Sequence, residues 1–119
     1  MGRGVQELGE SLGGGNGVIM SVNDLHEAAA RGDVAEMRRL VSTGVEVDGV
    51  DEEFGETALH KAAEFGHVEV LKTLLQLSAD IQAKTAAGAT PLHFAASNGH
   101  VEAVKTLLQL SADIEAKTE

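Results

Sequence analysis

The chain has 119 residues, a formal net charge of −10 and no cysteine. That length holds one small domain. The charge opposes binding to nucleic acid and docking on anionic lipid, both of which draw on Lys and Arg, and the lack of Cys excludes a disulfide framework and thiolate zinc sites.

Residues 1–20 hold seven of the fourteen glycines. Gly13-Gly14-Gly15-Asn16-Gly17 has too little apolar content to fold alone, so residues 1–22 are expected to form a flexible tail. A phosphate loop is not expected there: no Lys-Ser/Thr follows, and the GxGxxG spacing fails at Met20. Met20 stands as an alternative start. The N-terminus lacks the apolar core of a signal peptide, and Gln6 stands where a myristoylation signal needs Ser or Thr. No apolar run approaches the length of a membrane span. The expected location is intracellular, in cytoplasm, nucleus or both, with no membrane partner.

The ordered pattern starts at residue 23. Asn23 reads as the N-cap of a helix Asp24–Arg31, which Gly32-Asp33 interrupts. A second helix follows over Val34–Ser42. Val34, Met37, Leu40 and Val41 form its apolar stripe, and Glu36, Arg38 and Arg39 its polar face. Gly44 ends it. Glu46–Glu56 then contains six acids, one Phe and no Lys or Arg. Gly49 and Gly55 give it turn chemistry, so it reads as an exposed hairpin-like connection. Thr57 caps a helix Ala58–Phe65, and Val68–Leu77 forms the next, with Thr73 placed on its exposed side. The apolar residues of Val68–Leu77 cover more than one stripe, which implies contact with two neighbours.

The stretch Gly66–Thr85 recurs as Gly99–Thr118 with three differences in twenty positions, a shift of 33 residues. A fixed period of this size marks units that bury their apolar faces only by stacking. The third unit therefore has a Thr90 cap, Pro91 at the first helical position, a Gly99 stop and a helix Val101–Leu110. The units run over about 23–52, 53–85 and 86–118.

Gly88-Ala89-Thr90-Pro91-Leu92-His93-Phe94-Ala95-Ala96-Ser97-Asn98-Gly99-His100 resembles the ankyrin-repeat signature, and Leu107–Ile114 resembles its second half. Gly55–Ile81 matches the same signature with Ala58 for the usual Pro, and Leu25–Val47 looks like a diverged first unit. The resemblance covers about residues 23–119. It implies an all-α solenoid of stacked helix-turn-helix units with hairpin-like finger loops. It also implies a non-catalytic intracellular module, a scaffold or adaptor that binds a partner protein through its finger tips and the exposed face of each first helix. The alternative is a regulatory ankyrin fragment of a longer enzyme, channel or transcription co-regulator. Ser78 and Ser111 stand where the family has Gly, so both are expected at positive φ at a cost of about 1 kcal/mol each.

The five histidines recur with the repeat, at spacings too long to share one ion, and His60 and His93 are expected to bond the Thr57 and Thr90 turns. Asp51, Glu52 and Glu53 lack the alternating ligands and distal Glu of a calcium loop. No cofactor, metal or catalytic residue is expected. Matched to the family's recognition positions, the candidate partner-binding residues are Val50, Glu52, Glu53, Phe54, Glu56, Glu64 and Phe65 in the second unit. In the third they are Lys84, Ser97 and Asn98, beside Ala86, Ala87 and Ala89. Phe54 within an acidic rim points to a basic partner segment with an apolar anchor. The other reading folds Phe54 back onto the stack. At the C-terminal edge, one side of Val101, Val104 and Leu108 is expected to meet water, which leaves either further repeats or self-association.

Overall fold

Apolar residues three and four apart, separated by Gly stops, produce six helices in the computed structural model, which describes residues 21–117. They are α1 (Val22–Arg31), α2 (Val34–Ser42), α3 (Ala58–Phe65), α4 (Val68–Gln76), α5 (Pro91–Ser97) and α6 (Val101–Lys117), with no strand among the described residues. Each odd-numbered helix packs on the even-numbered helix that follows it. The first helices α1, α3 and α5 stack as one layer, and α2, α4 and α6 as a second. Leu25, Ala28 and Ala29 of α1 are fully buried, as are Leu59, Ala62 and Ala63 of α3. The paired alanines let successive first helices approach closely, and Met37, Leu40, Leu71, Leu74 and Leu107 fill the space between layers.

Caps set the helix starts. Thr57 and Thr90 accept the backbone N–H of His60 and His93, at 3.3 and 3.4 Å. Asp33 caps α2 by accepting the Glu36 amide at 3.1 Å. At α1 the cap is Ser21, not Asn23, and Val22 is already helical. The Asp24 carboxylate accepts the Ser21 amide at 2.8 Å, and this reciprocal box outcompetes a lone Asn cap. Residues 1–20, with the expected flexible tail and the Met20 start, lie outside the described residues.

Thr73, expected on the exposed side of α4, is buried, and its hydroxyl donates to the Glu69 carbonyl at 2.8 Å. That bond satisfies the one polar group of an otherwise small side chain, which frees the residue to face the stack.

Ser78 takes φ +76° after α4, as its place in the repeat demands. Ser111 does not follow it: α6 runs through to Lys117. The difference lies in the anchoring. The Asp48 carboxylate accepts the Asp80 amide at 2.9 Å and fixes the turn after α4. Its counterpart one unit on is Gln82, longer and uncharged. Without that anchor, Ser-Ala-Asp-Ile-Glu-Ala-Lys avoids the left-handed penalty by staying helical. We expect Ser78→Gly to stabilise by about 0.5–1 kcal/mol and Ser111→Gly to destabilise by a similar amount. Urea midpoints at constant m-value check this, and a stabilising Ser111→Gly would contradict the long α6.

The connections between units are fingers closed by turns. Asp51 N–H bonds Glu56 O and Thr85 N–H bonds Ala89 O, both at 2.9 Å. The Ala86 amide donates to Phe54 O at 2.9 Å and ties one finger to the next.

Candidate functional site

The second-unit finger is built around Asp51. One oxygen of its carboxylate accepts the amides of Phe54, Gly55 and Glu56 at 2.8, 3.0 and 3.4 Å. This Asx-type turn throws Glu52, Glu53 and Phe54 outward. Gly55 is required there: it sits at φ +70°, and a Cβ would come within 3.1 Å of the Ala86 nitrogen. Lys61 of α3 reaches back to Glu56 at 2.8 Å and to Asp51 at 3.9 Å. Burial alone would raise the Asp51 carboxyl, but the amides of Phe54, Glu56 and Gly55, with Lys61, outweigh it and hold the group below its usual range. Burial likewise opposes charge on Lys61, and the Glu56 contact outweighs it, so Lys61 titrates above its usual range.

Glu56 thus has a different place from the one expected. Its side chain is 13% exposed and neutralises Lys61, so it holds the finger from behind. Lys61 offsets the charge that burial leaves on this carboxylate, so removing either partner would strand the other. The tip itself is open. Phe54 is 58% exposed and Val50 54%, so Phe54 does not fold back onto the stack. Glu52 and Glu53 are exposed and form no ion pair among the described residues. With Ser21, Val22 and Asn23 at the start of α1, Val50, Asp51, Glu52 and Glu53 line an open cavity of about 480 Å³. Gly49 packs directly on Val22 and leaves no room for a Cβ, which sets the finger against α1.

The remaining candidates lie along the first-helix layer. Phe65 is 50% exposed and Glu64 half-buried, at the far end of α3, roughly 12 Å from the finger by helix rise. Lys84, Ala86 and Ala87 are exposed on the third-unit finger, and Ala89 is half-buried. Ser97 and Asn98 are exposed at the end of α5, where the Asn98 side chain donates to the Phe94 carbonyl at 2.7 Å. Two residues important to the finger escaped the sequence reading as such: Asp51 as its internal acceptor and Lys61 as its clamp. The signal was present in Asp51 followed four residues later by Gly55, with the one cation of α3 a turn further on.

The histidines serve the stack. Nδ1 of His60 accepts the Thr57 amide at 3.0 Å, and Nε2 donates to the Ala89 carbonyl of the next finger at 2.9 Å. His26 does the same toward Gly49 at 3.0 Å. His67 and His100 donate back to the preceding unit, at Ala30 O and Glu64 O, each 2.8 Å away. Among the described residues, no cluster of three His, Cys, Asp or Glu is placed to hold a metal. Burial is the main cause that lowers the pKa of His26 and His60, against the raising effects of their backbone bonds and nearby carboxylates. Both are therefore neutral in the fold at pH values where the unfolded chain is already protonated. Stability is complete above about 6.5, the unfolded value, and falls as pH drops below it. Asp51 acts in a lower window: its contribution persists above about 3.9 and is lost as pH falls through its depressed folded value. We expect the urea midpoint to drop between pH 7.5 and 5.5, before most carboxylates titrate. A flat midpoint over that range would contradict the assignment of both imidazoles as buried and neutral.

The fold and its periodic Thr/His turns define a stack of helix-turn-helix repeats. A family model for ankyrin repeats, in three copies, matches residues 25–118, and the chain belongs to the ankyrin-repeat family. It is 44% identical over 64 residues to mouse ankyrin repeat domain-containing protein 40, covering 54% of this chain and 18% of that protein. The human protein of the same name is 42% identical over 64 residues, covering 54% of this chain and 17% of its own length. Mouse 2-5A-dependent ribonuclease is 31% identical over 79 residues, 66% of this chain and 11% of that protein. The chain thus spans less than a fifth of each of these relatives. Ankyrin repeats are in general protein-interaction modules and typically non-catalytic. Among the described residues, no helix is long and apolar enough to cross a membrane.

Proposed function

We propose that the chain is a non-catalytic intracellular binding module whose main contact is the second-unit finger. Val50, Glu52, Glu53 and Phe54 form its tip. Glu64 and Phe65 extend the surface along α3, and Lys84, Ser97 and Asn98 along the third unit. The partner is a basic protein segment with at least one apolar side chain. The observation that supports this reading most is an exposed Phe54 on a finger made rigid by the Asp51 turn and the Lys61 clamp. A rigid, exposed aromatic loses little entropy on docking, and unpaired acids around it select a basic partner. Affinity capture with the full chain, followed by measurement on the captured partner, tests this. Glu52→Gln with Glu53→Gln should slow association and flatten its salt dependence, while the urea midpoint stays within about 0.5 kcal/mol of the parent. Unchanged association rates across salt would count against the acidic rim.

A second reading is favoured by the match to 2-5A-dependent ribonuclease, which is far longer than the matched stretch. In it the stack is the regulatory part of a longer enzyme, channel or transcription co-regulator. A transcript that continues in frame past Glu119 would favour it.

A further inference from the structure

We propose that Asn98–Gly99, at the end of α5, is a self-modification site that converts through a cyclic imide to aspartate and isoaspartate and so loosens the third unit from the second. Gly32, Gly66 and Gly99 close the three first helices, at φ +77°, +71° and +74°. The residue before the glycine differs each time: Arg31, Phe65 and Asn98. Of the three, only Asn98 sets a thermolabile carboxamide beside a glycine nitrogen that no Cβ shields. Asn98 and Gly99 are exposed, as are Ala96 and Ser97 before them, so water and base reach the whole turn.

The Gly99 amide gives its proton to hydroxide, and its nitrogen bonds to Cγ of Asn98. The Cγ–Nδ2 bond breaks, and the leaving nitrogen takes a proton from water and departs as ammonia, which restores the hydroxide and closes the imide. One water then opens the ring. Attack at Cγ gives aspartate, and attack at the main-chain carbonyl gives isoaspartate, whose chain runs on through Cγ. Two bonds hold the turn against this step. The Asn98 side chain donates to Phe94 O at 2.7 Å, and the Gly99 amide donates to Ala96 O at 3.1 Å. Both must open before the nitrogen meets Cγ. With seven residues α5 is the shortest helix, and its last turn is exposed, so that opening is local and leaves the stack folded. Asp48–Gly49 is the other Asx–Gly step among the described residues. There the carboxylate holds the Asp80 amide at 2.9 Å, and Gly49 is half-buried against Val22, which closes that site.

Either product disturbs the seam between units. Aspartate puts a carboxylate where the amide donated, so two acceptors face each other at the negative end of α5. Isoaspartate adds a methylene to the main chain just before Gly99. The turn there, with the His100 amide on Ala95 O at 3.0 Å, then loses its register. With it goes the bond from the His100 ring to Glu64 O, 2.8 Å long, which stitches the third unit to the second. The chemistry does not depend on the proposed partner surface, although Asn98 lies on it.

The test incubates the full chain at neutral pH and body temperature. It carries Asn16→Gln, which leaves Asn98–Gly99 as the one Asn–Gly step. Peptide mapping and enzymatic methylation of isoaspartyl groups follow the product. The folded chain is expected to accumulate isoaspartate at position 98, about tenfold more slowly than the same chain in urea, because the last turn of α5 must open first. Asn98→Gln should abolish the signal. The separated isoaspartyl form should unfold at a lower urea concentration than the parent. Asn98→Asp, which adds the charge but no methylene, should fall between the two. In a His100→Ala background the isoaspartyl form should unfold like its unmodified counterpart, because the stitch is already gone. Absence of isoaspartate at position 98 in the folded chain once the urea sample has converted overturns the site. A parent-like midpoint of the isoaspartyl form overturns the loosening, and an undiminished loss in the His100→Ala background overturns its route through His100.

Discussion

His60→Ala is expected to lower stability by about 3 kcal/mol or more, among the largest effects of any single change outside the leucines. The side chain is fully buried and touches two units at once. Its loss leaves a cavity beside Phe94, whose ring stands edge-on at 5.0 Å. It also strands the Thr57 amide and the Ala89 carbonyl, which the imidazole joins from opposite sides. Each stranded group costs about 1–3 kcal/mol when water cannot reach it. His93→Ala is the internal control. The same residue type holds the same local turn, but His93 is exposed and, among the described residues, bonds no neighbouring unit, so its loss should cost about 1 kcal/mol. Urea unfolding of both variants checks the ratio. Equal losses would mean that the turn, and not the stitch between units, is what the histidine supplies.

Phe54→Ala is expected to leave stability nearly untouched and to weaken partner binding by about 2 kcal/mol, or roughly 30-fold in Kd. Exposure decides the first half: a side chain 58% open to water gives up little burial when it is truncated. The second half follows from the setting. The Asp51 turn and the tie from Ala86 to the Phe54 carbonyl fix the backbone on which the ring stands. An anchor already held in place contributes chiefly to residence time, so the loss should fall on koff. The neighbouring acids act at longer range and earlier, on the approach of a basic partner.

The stack itself was legible in the sequence because period carries so much information. The near-identity of Gly66–Thr85 and Gly99–Thr118 marked the turns at Gly66 and Gly99, and the tetrads Thr57–His60 and Thr90–His93, which carry the same shift, marked the helix starts and the His–Thr turn bonds. Legibility fell where the repeat is broken. At the N-terminus, Ser21 and Asp24 form a box that the diverged first unit does not share with the others. At the C-terminus, Ser111 repeats Ser78 in sequence but lacks the Asp48 anchor, so local propensity wins and α6 runs on. The finger was legible in outline. Its acids and its Phe marked it, yet six acids in one stretch look alike on paper. The fold sorts them by neighbour: Asp51 takes three amides, Glu56 takes Lys61, and Glu52 and Glu53 are left to solvent. Which carboxylate faced inward depended on α3 reaching back over the finger, a contact between elements that composition does not encode.

The most direct measurement is stability and affinity on one sample of Phe54→Ala, by urea unfolding and by binding kinetics with the captured partner. The account predicts a midpoint within about 0.5 kcal/mol of the parent and a dissociation rate raised about 30-fold. A lowered midpoint with unchanged affinity would contradict it, and would return Phe54 to the stack and the acids to solubility alone.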